Sequence, residues 1–220
     1  MNIWGDSIAK GVVFDEVRGR YAISRESCAS RLSREAGYSV SNYAVMGSTS
    51  EQGLERMRGQ ELMKGNVALI EFGGNDCDQD WAEACEHPDV PQQGRVPLLQ
   101  FGENVRAMVR LAKQAGMIPA LVTPPPLVAQ RYFDWVSQKL DPARILRYLG
   151  DVEHIYRWQE RYALLIRKIA QQEGAILADV RDAFLSQNRF TEMMCVDGIH
   201  PNEKGQALMF DCLNRMLQSI

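Results

Sequence analysis

Short apolar runs alternate with longer stretches of helical periodicity along the whole chain, the pattern of parallel strands joined by helical crossovers. The runs Asn2–Trp4, Ser39–Val45, Val67–Phe72, Ile118–Val122 and Ala175–Val180 are the expected strands of an α/β fold. Val67-Ala68-Leu69-Ile70 is apolar without interruption, as befits a strand covered by helices on both faces. Pro119 fits near a strand start, where no ladder donor is needed. Three helical stripes complement them: Leu98, Phe101, Val105, Met108 and Ala112, closed by Gly116; Ile155, Trp158, Tyr162, Leu165 and Ile169, closed by Gly174; and Met209, Cys212, Met216 and Ile220. All three read as core faces, their methionines and aromatics included.

Two connections exceed what an α/β unit needs. Asp76–Pro97 follows the third strand and Pro124–Gly150 the fourth, and both leave from the C-terminal edge of the sheet, where open α/β sheets bind ligands. They are expected to form cap-like loops at 76–97 and 124–150. Residues 132–162 hold seven of the eighteen aromatics. These rings either form a small satellite core under a cap or line a substrate pocket, with Tyr132, Phe133 and Trp135 the candidates. Without repeats, low-complexity segments or a linker, residues 1–220 read as one domain.

Composition narrows the possible partners. A net charge of −3 and a pI near 5.7 leave no basic footprint for nucleic acid. No run approaches the ~20 apolar residues that span a bilayer, so no membrane association is expected. The opening Met-Asn-Ile-Trp-Gly-Asp lacks the basic and apolar regions of a signal peptide, and a cytoplasmic location is expected. The five cysteines are an odd, scattered set and read as free thiols. The spacing of Cys77, Cys85 and His87 matches no ligand pattern, so no metal site is expected.

Chemistry concentrates at four places. Gly5-Asp6-Ser7 stands where the first strand hands over to the first helix, and places a serine at the C-terminal sheet edge. Asp197-Gly198-Ile199-His200-Pro201 stands just ahead of the last helix. A serine needs a neighbouring base to become a nucleophile, and an imidazole needs a partner to fix its tautomer, which Asp197 supplies from three residues away. Gly73-Gly74-Asn75-Asp76 comes after the third strand and offers the Asn75 side-chain amide to a developing oxyanion, with glycines that let the backbone approach closely. Gly47, after the second strand, offers a further N–H. Taken singly, these are a helix cap, a surface turn, a glycine-rich turn and an ordinary glycine.

As an ordered set, serine, glycine, asparagine and Asp-x-x-His resemble the SGNH hydrolase family, often called GDSL hydrolases. The resemblance runs from Gly5 to the C-terminal helix. The remainder is similar to bacterial members carrying the Thr123-Pro124-Pro125-Pro126 stretch and an aromatic insertion after it. It implies a three-layer α/β/α fold with a flavodoxin-like, five-stranded parallel sheet. It also implies Ser7 as nucleophile, His200 as base, Asp197 as its orienting carboxylate, and an oxyanion hole of the Ser7 N–H, the Gly47 N–H and the Asn75 side chain. No metal or organic cofactor is implied. The expected activity is hydrolysis of short-chain acyl esters, acetyl esters first, of small molecules that include acylated carbohydrates. A thioesterase or lysophospholipase activity, and a catalytically idle ligand-binding protein on the same scaffold, are the alternatives. The oligomeric state is left open.

Overall fold

The computed structural model covers residues 1–220. Its first strand, β1 (Asn2–Gly5), passes through the short helix α1 (Ser7–Lys10) into a hairpin of β2 (Val12–Asp15) and β3 (Arg20–Ile23). Helix α2 (Cys28–Arg34), strand β4 (Ser41–Asn42), helix α3 (Ser50–Arg58) and strand β5 (Val67–Glu71) come next. The first long connection holds α4 (Gly74–Cys77) and α5 (Trp81–Glu86), and α6 (Leu98–Gln114) leads to β6 (Ile118–Val122). The second holds α7 (Ala129–Val136) and α8 (Pro142–Leu149) before α9 (His154–Glu173), β7 (Ile176–Ala178), α10 (Val180–Leu185) and α11 (Glu203–Leu217).

The strands form a five-stranded parallel sheet in the order β4-β1-β5-β6-β7, flanked by helices on both faces as an α/β/α sandwich. The period-2 alternation of side chains divides each strand between two cores. Trp4, Ile70 and Leu121 face α3, α6 and α9, beside Met57, Phe101, Met108 and Ile169. Ile3, Leu69 and Val122 face α2, α10 and α11, beside Leu32, Phe184, Met209 and Leu213. Each large apolar side chain so buried contributes on the order of 1.5–3 kcal/mol.

Several elements differ from the sequence expectation, each for a local reason. The expected strand 39–45 shrinks to Ser41–Asn42: Tyr43 and Val45 still donate to β1 carbonyls, but the Asn42 side chain turns back to accept from the Ala44 amide. The strand expected at 175–180 stops at Ala178, because the Asp179 carboxylate caps α10 through the Asp182 amide. The hairpin β2–β3 has no counterpart among the expected strands. The last helix ends at Leu217, so Ile220 lies exposed beyond it and the buried stripe runs through Met209, Leu213 and Met216. The second long connection is mostly helical rather than an open loop, and the first carries two short helices. They build a third core, in which Phe133, Ile145, Leu149 and Ile155 are buried.

Gly53 of α3 sits directly on the Phe72 ring at the end of β5. A Cβ there would lie 2.1 Å from the ring carbon Cζ. Gly53→Ala is therefore expected to destabilise the protein by about 1–3 kcal/mol through overpacking, outweighing the helix propensity of up to ~1 kcal/mol gained by removing glycine. Thermal unfolding monitored by circular dichroism checks this; an unchanged or raised Tm would mean that Phe72 repacks freely.

Candidate active site

Gly5, Asp6 and Ser7 each meet a distinct demand of the β1–α1 turn. Gly5 lies against the next strand and the first helix, where a Cβ would come within 2.5 Å of the Ala9 Cβ and 2.7 Å of the Glu71 carbonyl. Asp6 caps α1, its Oδ1 accepting from the Ile8 amide at 2.8 Å. Ser7, the first helical residue, is left at the sheet's C-terminal edge and is nearly but not wholly buried.

Asp197 organises the loop that carries His200. Its Oδ1 accepts from the Ile199 and His200 amides at 3.0 and 3.1 Å. Gly198 has φ +77, and a Cβ there would meet the Val128 carbonyl at 2.7 Å, so only glycine fits. Asn202 then caps α11 through the Lys204 and Gly205 amides. The outcome is a serine–imidazole–carboxylate relay. His200 Nε2 lies 2.8 Å from Ser7 Oγ, and His200 Nδ1 lies 2.6 Å from Asp197 Oδ2. Burial alone would raise the Asp197 carboxyl. The hydrogen bond and charge of His200, with the two loop amides, hold it below the ordinary range, so it remains an acceptor for the imidazole N–H. Such a set can remove a serine proton and return it to a leaving group.

Asn75 is turned toward this corner by Gly73, whose φ of +131 is open to glycine. Both hydrogens of its amide are engaged within the protein: Nδ2 lies 3.1 Å from Asp6 Oδ2 and 3.2 Å from the Ser48 carbonyl. Gly47, with φ +77, stands across from it, and its amide donates to no protein atom. Behind Asn75, Asp76 Oδ1 accepts from the Ser50 amide at the start of α3. Burial, aided by the Asp6 charge, pushes the Asp76 carboxyl up to about 6.

Ser7, His200, Gly47 and Asn75 open into one cavity of about 170 Å³. Of the three cap aromatics singled out from the sequence, Tyr132 lines it. Phe133 and Trp135 do not: Phe133 is buried in the cap's own core, and Trp135 packs edge-on against Phe14 and Tyr21 of the hairpin, because successive residues of α7 point around the helix rather than along one face. Tyr132 donates to Asp78 Oδ1 at 2.7 Å, and Trp81 donates to the same oxygen at 3.0 Å, which fastens the two cap segments together. Trp158, expected as a core residue of its helix, also lines the cavity and stacks on His154. Cys77, Cys85 and His87 do not converge. The Cys77 thiol turns to the Gly74 carbonyl, and His87 lies at the surface beside Glu83.

Tyr21 of β3 is a residue of this site that sequence reasoning misses. Its hydroxyl donates to Asp197 Oδ2 at 3.0 Å, the oxygen that also meets His200, and its ring lies 5.0 Å from the imidazole. Burial and the Asp197 charge push the phenol up, so it stays protonated and remains a donor. Only two short β-prone runs, 12–15 and 20–23, on either side of a turn that contains Gly19, hint at the hairpin that delivers it. Glu71 is missed as well, although a carboxylate inside the apolar run 67–72 is itself a signal.

A family model described as the GDSL-like Lipase/Acylhydrolase family matches residues 3–208. No curated protein matches the chain by sequence. Among solved structures, the chain is similar to a lipase/acylhydrolase from Enterococcus faecalis, with 18% identity, a TM-score of 0.69 and coverage of 99% of this chain and 94% of that one. An acetylxylan esterase from Geobacillus stearothermophilus is similar at 18% identity and TM-score 0.65, covering 98% and 92%. The psychrotrophic esterase of a Pseudoalteromonas species is similar at 18% identity and TM-score 0.59, covering 99% and 96%. At these identities the structural likeness is one of fold, and the family match carries the assignment: the chain belongs to the GDSL-like lipase/acylhydrolase family of ester hydrolases.

Proposed function

We propose that Ser7 is the nucleophile of a two-step acyl transfer acting on short-chain esters, acetyl esters first, of small polar alcohols such as carbohydrates. The observation that carries the reading is the relay of 2.8 and 2.6 Å opening into a cavity of about 170 Å³. His200 takes the Ser7 proton as Oγ attacks the ester carbonyl. The Ser7 and Gly47 amides and the Asn75 side chain receive the oxyanion, His200 protonates the leaving alcohol, and water hydrolyses the acyl-enzyme. Tyr21 acts as a positioning residue that holds Asp197.

Two features support a short acyl group and a polar alcohol. The cavity is small beside the ~300–1,000 Å³ of drug-sized sites, and its far wall is the packed core of α7–α9 rather than an open groove. Gln159 lines it with its Oε1 held by the wholly buried Arg181 at 2.8 Å, so the amide nitrogen is what it has left to offer a hydroxyl or carbonyl of a ligand. Tyr132 and Trp158 add flat faces suited to a sugar ring. The acetylxylan esterase similar in fold is consistent with this class.

Ser7→Ala is expected to abolish p-nitrophenyl acetate turnover and labelling by a serine-directed phosphonate, with an unchanged circular dichroism spectrum. Turnover that survives would displace Ser7, and a wild type that neither turns over nor labels would make the protein an idle binder. For Tyr21→Phe the expectation is a kcat lowered by about threefold to tenfold with little change in KM, the equivalent of one hydrogen bond of ~0.5–1.5 kcal/mol; a change confined to KM would place Tyr21 on the substrate instead. Across acetyl, butyryl, octanoyl and dodecanoyl p-nitrophenyl esters, kcat/KM should fall with length. A steady climb, at up to ~0.8 kcal/mol per buried CH₂, would identify a lipolytic enzyme.

A further inference from the structure

Directly behind Ser7 lies a second carboxyl that the acyl-transfer scheme does not use. Glu71 ends β5, in register with Gly5 of β1, and its side chain is shut from solvent. It projects into the α2–α11 side of the sheet among Ile3, Ile8, Leu69, Val122 and Met209. Neither carboxyl oxygen finds a hydrogen-bond donor, although the Ala9 and Asp6 amides lie near. An ionised carboxylate in that largely apolar position, with no well-formed hydrogen bond, would be strongly disfavoured. The one polar side chain within hydrogen-bonding reach is Asp6, itself a carboxyl. Two carboxyls in contact are satisfied only when a proton sits between them.

The contacts of Asp6 decide which carboxyl holds that proton. Asp6 accepts from the Ile8 amide through Oδ1 and from Asn75 Nδ2 through Oδ2, as an anion does, whereas Glu71 has no donor of its own. Burial raises both groups, Asp6 above its usual range and Glu71 well above it; the Asp6 charge pushes Glu71 further up, and His200 draws Asp6 down. The other titratable groups facing the pair are Asp76, which feels the Asp6 charge, and the Cys28 thiol, which burial keeps protonated.

We propose that Glu71 is a positioning residue whose protonated carboxyl donates to Asp6, and so sets how tightly Asp6 grips the Asn75 amide. The idea rests on the acyl-transfer reading of Ser7. Asp6 and a developing oxyanion compete for the same Asn75 hydrogen. With Glu71 donating, part of the Asp6 charge is already engaged and the amide can turn to the oxyanion. When Glu71 loses its proton, a second negative charge appears behind the nucleophile and the oxyanion is disfavoured. The proton leaves to solvent and no bond in the substrate is involved.

The test is a comparison of wild type, Glu71→Gln and Glu71→Ala over pH 5–10. Glutamine keeps a neutral donor toward Asp6 at every pH, so Glu71→Gln should hold kcat within about threefold of wild type at neutral pH and lose the alkaline decline that wild type shows. Glu71→Ala leaves Asp6 without that donor and should lower kcat on the order of tenfold or more, below the ~10²–10³ for outright loss of an oxyanion donor, with KM nearly unchanged. A second readout is independent of turnover. In wild type a carboxyl raised by folding gives its full stability below the ordinary glutamate value of 4.5 and loses it as pH rises toward the folded value. The Tm of Glu71→Gln should therefore gain on wild type as pH rises from 4.5. Overlapping alkaline limbs, an inactive Glu71→Gln, an unaffected Glu71→Ala or a pH-independent Tm difference would each overturn the proposal. Absence of turnover in wild type itself would instead overturn the acyl-transfer reading, and the Tm comparison would still decide the fate of the proton.

Discussion

The site depends on the pairing of β1 with β5. Register fixes Gly5 opposite Glu71, and the chain leaving these two residues carries Ser7 and Asn75 to the sheet edge. One step beyond Gly5 is Asp6, then Ser7; a few residues beyond Glu71 is Asn75. The close approach is possible because Gly5 carries no side chain, since a Cβ there would lie 2.7 Å from the Glu71 carbonyl. A shift of one residue in this pairing would turn Trp4 and Ile3 to the wrong cores. The two flanking cores therefore lock the register, and the register aligns the chemistry.

Buried carboxyls fall into two regimes around Ser7. Asp197 is surrounded by donors, namely His200, Tyr21 and two loop amides, and is kept charged beside the imidazole. Glu71 lies in a largely apolar pocket with neither oxygen hydrogen-bonded, and Asp76 has one oxygen with no donor; both are raised. On the His200 side of Ser7 the carboxylate is thus held charged by several donors, whereas on the Asn75 side only Asp6, of three buried carboxyls, has a donor to each oxygen.

Much of this arrangement is legible in the sequence, because local chemistry determines it. Gly-Asp-Ser, Gly-Gly-Asn-Asp and Asp-x-x-His are short-range solutions to a tight turn, a left-handed glycine and a loop held by its own aspartate. The central strands are equally legible, since both of their faces are buried. What escapes reading depends on partners far along the chain. Tyr21 reaches Asp197 across 176 positions, on a hairpin of two four-residue strands without alternation. The edge strand β4 is shortened by a single asparagine side chain. The cap reads as loop, although Asp141-Pro142 is an N-cap with an N1 proline after it; which of its rings face the cavity depends on packing between segments that sequence periodicity does not register.

The contact between Gly198 and the cap carries a mechanical consequence. The Val128 amide donates to the Gly198 carbonyl at 2.8 Å, and Arg131 reaches the carbonyls of Thr191, Met194 and Cys195. The helix roofing the cavity is thus riveted to the loop that carries the base. Swinging it outward would have to break these bonds and would strain the loop that holds His200 beside Ser7. Residues 137–150 make none of these bonds, so substitutions there can reshape the cavity wall at Tyr148 and Leu149 while the rivets at 128 and 131 hold.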